Sequence, residues 1–174
     1  MKNLMKKLAA QDQKGFTLIE ILVVIGIIAV LAAIVLIAIN PARQFAQARD
    51  SQRVSNLNAI LNAIGQRIAD NKGKFEGDFT VGLATYHCGK LPTTPVPAGA
   101  DILKDSEPAT ITTESNKLGC LTPTYIPSFP EDPSIASGSN TGYNIYQDNI
   151  GRVHVIADAT EDAITRTDPI EIVR

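Results

Sequence analysis

The hydrophobic pattern changes character twice along the chain. From Phe16 to Ile39, only Thr17, Glu20 and Gly26 interrupt 24 residues of apolar sequence. A run of that kind has no polar face. As a helix it would extend about 36 Å, enough to cross a hydrocarbon core of about 30 Å. Beyond Asn40-Pro41 the pattern becomes amphipathic: Val54, Leu57, Ile60, Leu61, Ile64 and Ile68 fall on one stripe, with Asn58, Asn62, Gln66 and Asp70 on other faces. Asn71-Lys72-Gly73 supplies a stop signal. Together the segments predict one long helix from about Phe16 to about Asn71. Pro41 either bends it or opens a second helix with Asn40 as the cap.

Past Gly73 the helical period ends. Residues 92–133 hold eight of the ten prolines, which predicts ordered loop with short strands at best. Tyr143–Gln147 and Arg152–Ile156 flank the turn Asp148-Asn149-Ile150-Gly151, the pattern of a β-hairpin, and Pro169–Val173 reads as a further strand. An antiparallel sheet of three or four strands packed on the apolar stripe would bury both faces, an α+β fold. The predicted organisation is a leader over 1–15, an apolar helix over 16–39, an amphipathic helix over 40–72, and a loop-rich sheet head over 73–174 packed on 54–70.

Charge gives this plan a direction. The formal net charge of −2 over 174 residues conceals a leader in which Lys2, Lys6, Lys7 and Lys14 oppose Asp12, a net of +3. The remainder carries 12 basic and 17 acidic residues, a net of −5. Lysines beside a first apolar segment hold that end in the cytoplasm, so the acidic head lies outside. An acidic exterior without a basic stripe predicts no specific nucleic-acid partner. A cleaved secretory signal would have an apolar region of only about 7 to 15 residues; this run is longer and keeps Ala32-Ala33 inside it. Glu20 is the anomaly, a carboxylate one turn inside an apolar helix, where charge is costly and marks function.

The residues Lys14-Gly15-Phe16-Thr17-Leu18-Ile19-Glu20, followed by Ile21-Leu22-Val23-Val24-Ile25-Gly26-Ile27-Ile28-Ala29, resemble the N-terminus of the type IV prepilins and pseudopilins. The resemblance implies a cut between Gly15 and Phe16 by a membrane prepilin peptidase, N-methylation of the new Phe16 terminus, and assembly through the apolar helix into a helical filament with further copies and minor (pseudo)pilins. It also implies a membrane platform, an assembly ATPase and residence in the bacterial inner membrane, single-pass, before assembly. A glycine before the scissile bond lets catalytic groups approach the carbonyl. In a helical array, Glu20 would meet the Phe16 amine of a neighbour. A copy in the wrong register would keep an unpaired charge in lipid, so Glu20 sets register. The helix departs from the commonest family pattern in having no proline before Pro41.

Pro123-Thr124-Tyr125-Ile126-Pro127-Ser128-Phe129-Pro130-Glu131-Asp132-Pro133 resembles the loop before the sheet in major-pseudopilin-like proteins, with Thr141-Gly142-Tyr143 and Gly151-Arg152 fitting the same neighbourhood. Some relatives bind calcium nearby. Asp132, Asp148 and Asp158 are the available oxygen donors, but no spacing resembles a calcium loop, so they read as surface carboxylates and no cofactor is expected. Cys88 and Cys120 enclose 31 residues, and outside the cytoplasm a disulfide between them would constrain the unfolded chain by about 3 to 4 kcal/mol. Arg43, Arg49 and Arg53 suggest contact with lipid headgroups or acidic groups of adjacent subunits. The plainer reading is a solvated helix face supported by Asp50 and Arg53 at i, i+3. His87 beside Cys88 gives no converging nucleophile, and His154 alternates with Val153 and Val155 as if exposed, so no enzyme is expected. The alternative to a filament subunit is a membrane-anchored extracellular binding module that does not polymerise. It explains the helix and head, but neither the Gly15-Phe16 junction nor Glu20.

Overall fold

The computed structural model describes residues 15–93, 100–105, 116–159, 161, 164 and 168–174. The chain divides after Pro41 into two units. In the first, α1 spans Leu18–Ala38, and all of its residues are exposed. It ends where the Ile39 N–H donates to Val35 O at 3.1 Å. Asn40 follows with φ 29, and Pro41 opens a second helix, α2, over Pro41–Asp70. Of the two readings of Pro41, a bend or the start of a second helix, the structure takes the second. The ring of Pro41 disfavours helical geometry at Asn40, and its missing N–H costs nothing in a first turn.

α2 closes as predicted. Lys72 and Gly73 turn left-handed at φ 53 and φ 90, and the Gly73 N–H returns to Ile68 O at 2.8 Å, the six-to-one bond of a Schellman stop. Its inward stripe holds Leu57, Ile60, Leu61 and Ile64, all buried. Val54, expected on this stripe, is 40% exposed instead. At that level α2 turns polar residues inward: Asp50, Arg53 and Asn56 are buried.

The head carries two sheets. β1 (Gly77–Val81) and β2 (Ala84–Cys88) form a two-stranded arm that hydrophobic alternation does not announce. β3 (Ala100–Leu103), β4 (Asn140–Gln147), β5 (Val153–Ala157) and β6 (Ile170–Val173) form an antiparallel four-stranded sheet in that order. The β4–β5 hairpin is the predicted one, with Tyr143 opposite Ala157, Ile145 opposite Val155 and Gln147 opposite Val153, although β5 starts one residue later than expected. β6 realises the strand read at the C-terminus.

Tyr143, Ile145, Val155 and Ala157 pack with the α2 stripe in one core, joined by Leu118 and Leu121 around a 3-10 turn at Gly119–Leu121. Burial of this apolar area against α2 is the main force holding the head together. Gly142 within the Thr-Gly-Tyr motif takes φ 78, and a Cβ added there would stand 2.8 Å from the Asp132 Cβ and 2.9 Å from Ile135 Cγ1. The motif thus lets β4 pass hard against the loop that holds Asp132.

Candidate functional site

Gly15 and Phe16 precede the first turn of α1, and Phe16 is 85% exposed. Thr17 is the N-cap, extended at φ −80 and ψ 153. Its Oγ1 accepts from the Glu20 N–H at 3.3 Å, and Glu20 Oε2 accepts from the Thr17 N–H and the Thr17 hydroxyl, both at 2.8 Å. This is a reciprocal capping box, which satisfies two backbone donors of the helix end and sets a carboxylate at its positive pole. The reading of Glu20 from sequence assigned it a neighbour and missed this local role. The spacing Thr17-Leu18-Ile19-Glu20 carried the signal, a threonine three residues before a glutamate at the head of an apolar run. Both partners lie after the Gly15–Phe16 bond, so the cap does not depend on anything before it. Lys14, the remaining processing residue, lies outside the described residues, as does the leader before it.

α1 itself is 21 residues, about 32 Å at 1.5 Å per residue, and among the described residues it is the one helix long and apolar enough to cross a membrane. A Cβ added at Gly26 would meet nothing within 4 Å. Among the described residues, no contact requires glycine at that position.

The arginines past the apolar run behave differently from the predicted solvated face. Arg53 is wholly buried, its Nε donating to Asp132 Oδ2 at 2.7 Å and its Nη1 to Glu161 Oε1 at 2.6 Å and Asp50 Oδ1 at 2.9 Å, with Nη2 on Ser134 Oγ at 2.8 Å. Arg49 closes on Glu161 through two bonds, Nε at 2.7 Å and Nη2 at 2.5 Å. The Asp50–Arg53 pair forms as expected, but inside the protein. Arg53 is therefore not available to headgroups or to an adjacent subunit; its charge is used to tie α2 to two distant segments. Arg43, by contrast, is exposed.

Electrostatics follow the geometry. The Arg49 hydrogen bonds, helped by Arg53 and opposed by burial, lower Glu161 to about 2. Burial pushes Asp132 up, but Arg53 and the Ser134 hydrogen bonds outweigh it and hold the carboxyl below its ordinary range. Alongside, the Asn56 amide donates to Tyr143 Oη at 2.8 Å and to Glu131 O at 3.0 Å, so the buried phenol has a partner. Burial raises Tyr143, with the Asn56 bond opposing.

The three aspartates considered as oxygen donors serve separate local tasks. Asp132 is buried on Arg53 and also accepts from the Ser134 and Ile135 N–H groups, so it is not a surface carboxylate. Asp148 holds the β4–β5 turn through the Ile150 and Arg152 N–H groups and the Arg152 side chain; burial opposes these bonds, and the carboxyl stays below the usual range. Asp158 accepts from the Asn144 amide and is raised, first by burial and then by Asp101. Among the described residues, no group of three or more His, Cys, Asp or Glu side chains is arranged to hold a metal.

Cys88 and Cys120 are joined in a disulfide, with Cα atoms 5.5 Å apart. Cys88 thus has no free thiol for His87, whose Nδ1 lies 2.7 Å from Asp78 Oδ1 across the arm. His154, expected on an exposed face, is buried. Its ring stacks on Tyr146 at 4.3 Å, and Nδ1 lies 2.6 Å from Glu171 Oε1. Alternation misplaced it because both faces of β5 are covered.

A family model described as the prokaryotic N-terminal methylation motif matches residues 11–36, the stretch that contains Gly15, Phe16, Thr17 and Glu20 and runs into α1. That motif is the class III signal peptide of type IV pilins and pseudopilins. No curated protein and no solved structure matches the chain.

Proposed function

We propose that this protein is a structural subunit of a type IV pilus or of a type II secretion pseudopilus, cut after Gly15, N-methylated at Phe16 and polymerised through α1. The observation that carries the reading is the methylation motif over 11–36, which overlaps a helix whose apolar residues are all exposed. A solvent-exposed helix of this composition needs lipid or other helices around it. Before assembly the lipid bilayer of the bacterial inner membrane supplies that surround, with the N-terminus cytoplasmic and the head outside. In the fibre, helices of other copies and of minor subunits replace it.

Cleavage by a prepilin peptidase creates a charged amine at Phe16, one turn from Glu20. The capping box uses Glu20 Oε2, and Oε1 makes no hydrogen bond among the described residues. Oε1 is therefore the oxygen available to the amine of a neighbouring copy. Such a pair offsets the cost of a carboxylate in an apolar surround and favours one axial register over its alternatives. An assembly platform and a cytoplasmic ATPase would draw subunits from the membrane. The chain's own chemistry is association, with no catalytic role.

Intact-mass analysis of the protein from cells with an active prepilin peptidase tests the reading. The expected species begins at Phe16 and carries one methyl group; a chain that still begins at Met1 overturns it. Fibre morphology then separates the two assemblies. Long surface fibres indicate a pilus, and their absence together with a secretion defect indicates a pseudopilus.

A further inference from the structure

α2 begins inside out. Over its opening turns Pro41, Phe45 and Ala48, at i, i+4 and i+7, form one outward stripe with Ala42 beside it, and all four are exposed, Phe45 at 65%. The inward side of the same stretch buries Ala46, Asp50 and Arg53. An ordinary amphipathic helix places apolar and ionic residues the other way round. Single exposed apolar side chains are common and need no explanation. A stripe of them backed by buried ions is different, and the apolar core of the head does not use it, since that core takes its first α2 residue at Leu57. The stripe is also bounded. The next position along it, Gln52, is polar and exposed, while on the N-terminal side it follows Ile39, 50% exposed, and the apolar run of α1.

The composition of these turns is intermediate. Arg43, Gln44 and Gln47, also exposed, share them with the stripe. The segment is therefore too polar for hydrocarbon, and its outward face is too apolar for water. A helix surface with that mixture suits the boundary between headgroups and acyl chains, where an aromatic side chain enters the apolar side and polar neighbours stay hydrated.

We propose that residues 41–48 form an interfacial segment, with Phe45 held in the headgroup layer of the outer leaflet while the chain awaits assembly. The inference rests on the reading of α1 as a membrane-spanning helix. Continuity of the chain, and not the shape of the stripe, names lipid as the occupant. At about 32 Å, α1 fills a hydrocarbon core of about 30 Å by itself. The chain then emerges near Ile39, and the residues after it have to pass the headgroups, a layer about 5 to 7 Å deep on each side. Counting an extended step for Ile39 and Asn40 and a helical rise from Pro41 on, Phe45 stands no more than about 17 Å from Ala38. The stripe ends at Ala48, where Arg49, Asp50 and Gln52 begin a surface fit for water and for the ion cluster.

The test uses the full chain reconstituted into vesicles of phosphatidylcholine and phosphatidylglycerol. The chain has no tryptophan, so a single introduced indole reports alone. Phe45 is exposed, and Phe45→Trp should leave the melting temperature of the head in place. Its emission should be shifted to the blue of that of Leu83→Trp, a fully exposed position between β1 and β2. Lipids brominated close to the headgroup should quench it more than lipids brominated deep in the acyl chain. Leu83→Trp should be quenched by neither, and Ile28→Trp, midway along α1, should show the reverse order of the two lipids. Absence of quenching in Phe45→Trp overturns the proposal, as does stronger quenching by the deep bromines, which would put the turn in hydrocarbon. A blue shift without quenching overturns it too, and identifies protein, such as a second copy, as what covers Phe45. Equal quenching of Leu83→Trp also overturns it, because the indole alone would then account for the signal. The two readings fail separately. Phe45→Trp unquenched beside a quenched Ile28→Trp removes only the interfacial segment, whereas an unquenched Ile28→Trp removes the spanning helix and the proposal with it.

Discussion

The guanidinium of Arg53 meets the carboxylate of Asp132 at 2.7 Å with both side chains wholly out of solvent, 79 residues apart in sequence. Glu161 approaches the same guanidinium from 108 residues away, and Arg49 holds Glu161 from its outer side. Three carboxylates and two guanidiniums thus join α2, the loop after Pro130 and the segment before β6.

Arg53→Met should destabilise the head by about 3 to 5 kcal/mol, because it keeps the volume but leaves Asp132 buried without a counter-charge and Glu161 with Arg49 alone. Chemical unfolding of the detergent-solubilised chain would read this as a lower midpoint. A change below about 0.5 kcal/mol, the range of ordinary surface substitutions, would show that the cluster contributes nothing.

Acid should loosen the same joint. Glu161 is lowered to about 2 and Asp132 is also depressed, so in both cases the unfolded chain takes up protons first. Their contribution is complete above the ordinary carboxylate range and is lost as pH falls from about 5 towards the folded values. Melting temperature should decline over that window, and Glu161→Gln should flatten the decline. An equal slope in the variant would assign the acid sensitivity to other groups.

Reduction of the Cys88–Cys120 bond, or Cys120→Ser with Cys88→Ser, should cost about 2 to 5 kcal/mol. The loss should concentrate at the arm, whose β2 ends at Cys88. Hydrogen exchange over Gly77–Cys88 is the measurement. Protection that survives reduction there would mean that the aromatic base alone holds the arm.

Glu20→Ala separates the two tasks of that carboxylate. Cleavage after Gly15 should continue while incorporation into fibres stops. Glu20→Gln keeps a capping oxygen without the charge. Fibres from Glu20→Gln in normal amount would mean that the cap, and not the pairing with a neighbour's amine, is what assembly needs.

The sequence made some of this legible and hid the rest for identifiable reasons. Length announces the apolar run, and period announces the α2 stripe and the β4–β5 hairpin, because each of these last two buries a face within one element. The ion cluster left no such trace, since the partners of Arg53 are set by the fold and a local i, i+3 pair with Asp50 looked sufficient on its own. Val54 was misplaced for the same reason: α2 changes from an apolar to an ionic interior at that level. The arm leaves little trace because its strands are short and solvated towards the tip, where Gly82-Leu83 lacks the polar residues that usually mark a turn. At the N-terminus both the junction and the Thr-x-x-Glu spacing of the cap stand in the sequence, but a charge in an apolar helix points equally to distant partners.

The cap has a consequence for the order of events. All of its bonds lie on one side of the Gly15–Phe16 linkage, so removing the leader breaks none of them. If the bond is cut as proposed, the peptidase works just ahead of a helix start that is already capped. Severing the leader then acts as a licence rather than a folding step: it changes what the end of the helix can bind while leaving its cap untouched.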